Sequence, residues 1–226
     1  MSPGSPQNNY LAGHGGFEAV YADDSLLVLN KPAGLLSVPG RGEDKQDCLS
    51  SRVQQQYPDA LVVHRLDMAT SGLMLMARGS HMQQALSRLF ENREVHKRYV
   101  AVVHGEMGGP ATDVDGWQLI DLPIMVDWPH RPLRVIAAMG KPSQTHWRSV
   151  AFDAQANITR VELEPVTGRS HQLRVHLQAM KHAIVGDALY GQTPQPGGRL
   201  LLHACQIGFA HPISGQAMFF ENLPEF

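Results

Sequence analysis

The residues of this chain most able to do chemistry lie in the segment His64 to Gly72, which reads HRLDMATSG. The segment brings an imidazole, a guanidinium and a carboxylate close together immediately before an apolar run. The ionised carboxylate of Asp67 could act as a nucleophile or as a general base. An Asp followed by Thr, Ser and Gly is also typical of an Asx turn or a helix cap, and these residues alone favour that structural role.

Two other catalytic interpretations fail because the motifs they require are missing. A kinase catalytic loop needs HRD rather than HRLD, and the chain has neither a glycine-rich loop nor a DFG sequence. A zinc-dependent nucleobase deaminase needs both H-x-E and P-C-x-x-C elements; an H-x-E match occurs at residues 104–106, but the chain has no P-C-x-x-C element. No metal site is therefore predicted, and His171 and His176 are interpreted as helix residues that contact a bound partner or lie in the core. The side chains considered for zinc are His64, His171, His176, His203, His211 and Cys205.

The elements that must hold these residues can be predicted from apolar periodicity and turn residues. Alternation and short apolar runs predict strands at 17–21, 26–30, 73–77, 99–103, 145–152 and 159–164. Helices are predicted at 47–57, 80–93 and 170–180, with Asp47 and Ser170 as N-caps of the first and third. Strands outnumber helices and do not alternate regularly with them, which predicts an α+β fold with a largely antiparallel or mixed sheet.

Composition indicates an ordinary globular protein. The chain has 226 residues and is 43% hydrophobic, enough for a substantial core, and the domain is predicted to span residues 17–226 after a disordered leader at 1–16. No apolar stretch approaches the roughly 20 residues that cross a bilayer, and the N-terminus lacks the pattern of a signal peptide. The two cysteines, Cys48 and Cys205, are far apart and imply no disulfide framework. We therefore expect a cytoplasmic protein.

The charge distribution is uneven although the net charge is only −2. No Asp or Glu occurs from Trp128 through Phe152 or from Pro165 through Gly186, while both stretches contain Lys and Arg. If both line one cleft, they would attract a polyanion without a high isoelectric point. The alternative is that they are solvated faces balanced by acids nearby in space. The basic residues concerned are Arg131, Arg134, Lys141, Arg148, Arg169, Arg174 and Lys181.

The segment HRLDMATSG resembles the catalytic motif of the RluA family of pseudouridine synthases. Further segments resemble other motifs of that family, in the same order along the chain. They are residues 30–36 (NKPAGLL), 97–101 (KRYVA), 167–176 (TGRSHQLRVH) and 200–204 (LLLHA). The resemblance extends from Phe17 to the C-terminus, and several ordered motifs are far more specific than a single match.

The resemblance implies a pseudouridine synthase fold, with a large, mostly antiparallel sheet, flanking helices and a central active-site cleft. It also implies a cofactor-independent isomerisation in which Asp67 is the nucleophile or the base. Arg174 would pair with Asp67, and Tyr99 would stack on the uracil and help to remove its C5 proton. Arg65 would occupy the gap left by the flipped base. The other residues carried over as substrate-binding are His64, Arg169, His171 and Leu202.

Additional similar segments bear on the substrate. Residues 38–41 (VPGR), 121–124 (DLPI) and 127–129 (DWP) resemble segments of one branch of the family. This closer resemblance implies dual use of a stem-loop in 23S ribosomal RNA and of the tRNA anticodon stem-loop. We expect a monomer that binds RNA, without DNA, a membrane or a cofactor, and without the S4-like RNA-binding domain of several relatives.

Two alternative functions stay open at this point. The first is a catalytically silent RNA-binding or RNA-chaperone module of the same fold, which would not need Asp67, Tyr99 and Arg174 together. The second is a hydrolase that uses Asp67 and a nearby histidine, for which no nucleophile elbow or metal motif is present.

Overall fold

The computed structural model describes residues 16–108, 115–191 and 198–226, which fall into two compact units. The first unit contains the described residues up to Asn92 together with His211–Gln216. The second contains the described residues of Arg93–Ala210 and Ala217–Phe226. The leader predicted at 1–16 lies, apart from Gly16, outside the described residues.

The elements of the first unit are β1 (Glu18–Ala22), β2 (Leu26–Lys31), a short 3-10 helix (Glu43–Lys45), α1 (Leu49–Gln56), β3 (Ala60–Val62), β4 (Ser71–Arg78) and α2 (Ser80–Glu91). They are built around an antiparallel sheet of order β1-β2-β4, with β3 also paired to β4. β4 is buried along nearly its whole length, as its apolar sequence SGLMLMAR indicates. The amphipathic helix α2 buries Met82 and Leu86.

The elements of the second unit are β5 (His96–His104), β6 (Gln118–Asp121), β7 (Ile124–Val126), β8 (Arg134–Ile136), β9 (Gln144–Asp153), β10 (Ile158–Pro165), α3 (Gln172–Ala179), β11 (Leu202–Ala210) and β12 (Ala217–Glu221). They include an antiparallel sheet of order β11-β5-β10-β9-β6, with β12 also paired to β11. β7 and β8 form a separate two-stranded hairpin. The α+β prediction is confirmed, and the strand pairs named in both units are antiparallel.

Two of the predicted helix caps are wrong. Helix α1 is capped by the thiol of Cys48, whose Sγ accepts from the Ser51 N–H at 3.4 Å, and not by Asp47. Asp47 instead forms a bidentate ion pair with Arg52 at 2.7 Å, which occupies both of its oxygens. Helix α3 follows His171 in a left-handed conformation with φ 58°, so Ser170 does not cap it. Asp47 has a good intrinsic propensity for the N-cap position, but its carboxylate is occupied by Arg52. Ser170 has a good propensity too, but the left-handed turn at His171 separates it from the helix.

Both cysteines, Cys48 and Cys205, are buried free thiols, as the absence of a disulfide framework predicted. Burial, the largest cause, raises the pKa of Cys205 to about 12, which keeps this thiol protonated and unreactive. Among the described residues, no helix is long and apolar enough to cross a membrane.

Candidate active site

Asp67 lies half-buried in the loop between β3 and β4, and the backbone on both sides of it is anchored. On one side, the Ser37 hydroxyl donates to the carbonyl oxygen of Leu66 at 2.7 Å and accepts from the Leu66 N–H at 3.1 Å. On the other side, the carbonyl oxygen of Met68 accepts from the Gly34 N–H at 2.8 Å. Because both neighbouring peptides are fixed, the carboxylate projects from a rigid loop.

Lys31 anchors the same loop from the end of β2. Its side chain is fully buried, and its ammonium donates to the carbonyl oxygens of Pro32 and Leu35 at 2.8 Å and of Met68 at 3.1 Å. Burial lowers the pKa of Lys31 to about 8, while the negative charge of Asp67 acts in the opposite direction. These contacts give Lys31 a structural role at the start of the Asp67 site.

The two residues preceding Leu66 differ sharply in their surroundings. The Arg65 side chain is exposed, so it is available to a bound molecule. His64 is engaged within the first unit, because its Nε2 accepts from the Leu75 N–H at 2.9 Å and its ring stacks on Phe90 with 4.5 Å between centroids. These contacts give His64 a role in fixing the loop to β4, and its contact with RNA stays a prediction.

Tyr99 lies in β5, at the centre of the sheet of the second unit. It is half-buried and stands opposite Leu163 of β10 and Ala204 of β11, so its backbone is paired on both edges. Leu202 begins β11 opposite Ala101 and is only 3% exposed. Tyr99 therefore extends from a rigid strand, whereas Leu202 contributes mainly to the core.

Arg174 is buried in α3 and forms a bidentate ion pair with Asp187. Its Nε donates to Oδ2 at 2.8 Å and its Nη2 to Oδ1 at 2.7 Å. Burial alone would raise the pKa of Asp187, but the hydrogen bonds and charge of Arg174 outweigh it and hold that pKa below its usual value. Sequence reasoning missed Asp187. Two features of the sequence could have drawn attention to Asp187. It is the first acidic residue after the acid-free stretch that ends at Gly186, and it lies in a segment typical of a turn.

Polar side chains inside α3 attach the helix to β9. Gln172 donates to the hydroxyl of Thr145 at 3.0 Å, and that hydroxyl lies 3.0 Å from Nδ1 of His176. The carbonyl oxygen of Leu122, 3.0 Å from His176 Nε2, can only accept, so Nε2 carries the proton and Nδ1 accepts from Thr145. Burial lowers the pKa of His176, which is therefore a neutral core residue, one of the two roles predicted for it.

The loop before α3 carries the other two predicted substrate-binding residues. The Arg169 side chain is exposed, while its N–H donates to Oε1 of Gln172 at 3.0 Å. His171 is half-buried, and its Nδ1 lies 2.7 Å from the Tyr190 hydroxyl. Arg169 is thus available to solvent, whereas His171 is tied to a neighbouring loop, and RNA contact by either residue stays a prediction.

The acid-free stretches are partly neutralised by acids from elsewhere in the sequence. Arg148 pairs with Glu162 at 2.7 Å across the β9–β10 ladder, and Arg174 pairs with Asp187. In contrast, Arg131 is exposed and its guanidinium lies 4.8 Å from the ring centroid of Trp128, itself 66% exposed. Arg148 fits the alternative of a solvated face balanced by an acid, whereas Arg174 is neutralised inside the protein. Arg131 is left as a candidate contact for a polyanion.

The remaining histidines considered for zinc have protein partners. Nε2 of His203 lies 2.9 Å from the carbonyl oxygen of Asn222, and Nδ1 of His211 accepts from the Ser214 N–H at 3.3 Å. Within the described parts of the chain, no group of three His, Cys, Asp or Glu side chains is arranged to hold a metal ion.

Comparison with known proteins identifies the family to which the chain belongs. A family model described as RNA pseudouridylate synthase matches residues 25–179. The dual-specificity RNA pseudouridine synthase RluA of Escherichia coli K12 is 45% identical over 210 residues, covering 92% of this chain and 93% of the relative. The RluA protein of Vibrio vulnificus is 47% identical over 203 residues, covering 87% of this chain and 79% of that protein.

The fold is also found in a solved structure, that of human RNA pseudouridylate synthase domain containing 1. It matches with a TM-score of 0.71 and 26% identity, over 100% of this chain and 87% of the human one. The matched family region includes the anchored Asp67 loop, Tyr99 and Arg174. With these matches over nearly its full length, the chain belongs to the RNA pseudouridylate synthase family, whose members are isomerases.

Proposed function

We propose that this enzyme isomerises uridines in the stem-loops of 23S ribosomal RNA and in the anticodon arm of tRNA. Support comes from the relatives at 45% and 47% identity, which are named as dual-specificity RNA pseudouridine synthases. The motif segments at 38–41, 121–124 and 127–129 favour the same substrates. We propose that the enzyme works as a monomer in the cytoplasm.

The reaction requires one bond to break and one to form at the same sugar carbon. The bond from C1′ to uracil N1 breaks, the detached ring turns, and C1′ bonds to C5. The proton then leaves C5, and N1 gains a proton, so the product has the same atoms as the substrate and no electrons are transferred overall. The required groups are therefore an ionised carboxylate, a group that helps remove the C5 proton, and a means of exposing the base.

Asp67 is the proposed carboxylate, acting either as a nucleophile on the nucleoside or as the base that removes a sugar proton. The observation that carries this proposal is the anchoring of both Leu66 and Met68, which fixes the backbone from which the Asp67 side chain extends. Pre-organisation of this kind lowers the entropy cost of reaching a reactive geometry. An Asx turn or a helix cap, the structural role that these residues alone favour, does not require the four hydrogen bonds to Leu66 and Met68.

Three other side chains complete the proposed machinery. Tyr99 would stack on the uracil and assist loss of the C5 proton, and Arg174 would stabilise the ionised carboxylate. Arg65 would fill the space left by the flipped base, which its exposure permits. Arg169, His64, His171 and Leu202 would line the binding site for the nucleotide.

The test uses short transcripts of the two stem-loops carrying tritium at uracil C5, incubated with the enzyme and without added cofactor. Isomerisation releases the label to water, and sequencing of the modified positions identifies the uridine in each transcript. The proposal predicts release from both stem-loops and little from a scrambled hairpin of equal length. Tight binding without release would favour the silent RNA-binding module, and release from only one stem-loop would remove the dual specificity.

A further inference from the structure

Asp187 binds one edge of the Arg174 guanidinium. The contact is side-on, through Nε and Nη2, and the Asp187 side chain is completely buried. A guanidinium is planar and has a second edge, formed by Nη1 and the other N–H of Nη2, which can meet a second anion. Side-on binding by Asp187 therefore sets the direction in which that second edge points.

Asp187 is itself held by a rigid turn. Its Oδ1 accepts from the N–H groups of Leu189 and Tyr190 at 2.9 and 3.0 Å, an Asx turn with both donors in place. The preceding Gly186 has φ 76°, and a Cβ there would lie 1.9 Å from the carbonyl oxygen of Arg199. Only glycine fits at this point, so the chain path into Asp187 is fixed.

The turn is also fixed to the strand that carries Tyr99. The N–H of Val185 donates to the carbonyl oxygen of Val102 in β5 at 2.9 Å, and Ile184 bridges Val103 in the same strand. The position of Asp187 is therefore fixed by backbone hydrogen bonds to the sheet of the second unit.

Tyr190 closes a further side of the guanidinium. Its ring lies 5.1 Å from the guanidinium carbon of Arg174. Its hydroxyl accepts from the Arg134 N–H of β8 at 2.9 Å and contacts His171 at 2.7 Å. The Asp187 carboxylate thus holds one edge of the guanidinium, and the Tyr190 ring lies against one of its faces. Neutralising the charge of Arg174 would require only the carboxylate.

Stability is a weak explanation for this arrangement. A buried ion pair is often no better for stability than apolar side chains of equal volume, because desolvation offsets the attraction. Fixed geometry, in contrast, is what an arginine needs when it must meet a reacting anion in one orientation.

We propose that Asp187 is a positioning residue of the isomerase: it holds the Arg174 guanidinium in the one orientation in which Arg174 can perform its proposed role in the reaction. This inference rests on the proposed role of Arg174 and adds a residue outside the set carried over from the family motifs. Asp187 does not touch the substrate, and its effect on the rate passes through Arg174.

The test compares Asp187→Asn with Asp153→Asn in the full-length enzyme. Asp153 is a matched control, because its Oδ1 accepts from the N–H groups of Gln155 and Ala156 at 2.9 and 3.0 Å in an exposed turn without an arginine. Asp187→Asn should lower the single-turnover rate by about 10- to 100-fold, the usual loss when a supporting partner is removed, with RNA affinity unchanged. Asp153→Asn should match the wild type. Equal rates for the two variants would overturn the proposal.

A double-mutant cycle separates positioning from a general structural effect. If Asp187 acts through Arg174, Asp187→Asn should cause no further loss of rate in an Arg174→Ala background. The same fold-loss in both backgrounds would contradict the proposal. Should Asp187→Asn fail to fold, Asp187→Glu decides the matter, since it keeps the charge but displaces the guanidinium. A full rate in Asp187→Glu would overturn positioning. Absence of label release by the wild type would instead refute the proposed function.

Discussion

The ammonium of Lys31 donates a hydrogen bond at 3.1 Å to the carbonyl oxygen of Met68, the residue that directly follows Asp67. A strand end far away in sequence therefore holds the loop that carries the proposed reactive carboxylate. The same ammonium bonds the carbonyl oxygens of Pro32 and Leu35, so one buried charge organises two turns at once.

Replacing Lys31 with Met should destabilise the fold and slow the reaction. The change leaves the buried carbonyl oxygen of Leu35 without its ammonium donor and loosens the peptide after Asp67, for a loss of about 2 to 4 kcal/mol in the free energy of unfolding. Urea denaturation and single-turnover rates measure the two effects. Lys45→Met, at an exposed site, is the control and should change neither. Unchanged stability in Lys31→Met would show that these hydrogen bonds contribute nothing.

Tyr99→Phe should keep RNA affinity and the stacking surface but block the reaction after glycosidic cleavage or at C5 deprotonation. Only the hydroxyl is removed, and loss of a group that assists proton transfer costs about 100-fold or more. Tritium release under single-turnover conditions gives the rate, and filter binding gives the affinity. Tyr57→Phe serves as the control because Tyr57 lies at the end of α1. A wild-type rate in Tyr99→Phe would remove the hydroxyl from the mechanism.

The stability of the enzyme should fall as the pH drops below about 6.5, in part because of His176. Burial, the largest cause, lowers the pKa of His176 from its ordinary value of 6.5, so the folded protein keeps it neutral while the unfolded chain takes up a proton. His176→Gln should therefore make the slope of unfolding free energy against pH shallower between pH 6.5 and 5. His81→Gln, on the exposed side of α2, should retain the wild-type slope. Identical slopes in all three proteins would contradict this account.

RNA affinity should decrease with salt, and Arg131 and Arg148 should contribute differently. Arg131 is exposed and not neutralised by its contact with Trp128, so Arg131→Gln should make the log-log salt slope shallower by about one unit. Arg148 already pairs with Glu162 at 2.7 Å, so Arg148→Gln should leave the slope nearly unchanged. Binding measured across a salt series tests this. Equal slope changes, or a flat wild-type response, would refute a phosphate contact at Arg131.

Elements with strong apolar patterns could be predicted from the sequence. β4, β9, β10 and α2 lie where alternation or helical periodicity indicated, with shifts of one or two residues at their ends. β7 and β8 were missed because each contains three residues, too few for a period to register. β3, β6 and β12 are also short and half-exposed and were missed too. β11 was not predicted as a strand, and only its first three residues fall in the family motif at 200–204.

The residues of the candidate active site could be proposed in part from the sequence. They came from the resemblance to family motifs, because residue types and spacing alone favoured a structural role for Asp67. Asp67 has the residue pattern of a turn and does begin one, since its carbonyl oxygen accepts from the Thr70 N–H at 3.1 Å. Only its neighbours in space, Lys31 and Ser37, show that the residues on both sides of Asp67 are anchored. Asp187 could not be predicted as a partner of Arg174, because a contact between a helix and a later turn depends on the path of the chain at Gly186. Local patterns carry no information on such long-range pairing.

The proposed isomerisation mechanism depends most directly on the negative charge of Asp67. Asp67→Asn is isosteric and removes only that charge, and the anchoring of Leu66 and Met68 should keep the loop in place. The decisive measurement is the single-turnover rate of tritium release from a stem-loop transcript, with Asp24→Asn, a fully exposed aspartate in the first unit, as the control. We predict a rate lower by several orders of magnitude in Asp67→Asn, with RNA affinity and unfolding midpoint nearly unchanged, and a wild-type rate in Asp24→Asn. Retention of about a tenth or more of the wild-type rate in Asp67→Asn would contradict the account, since general-base or nucleophilic roles contribute at least about 100-fold.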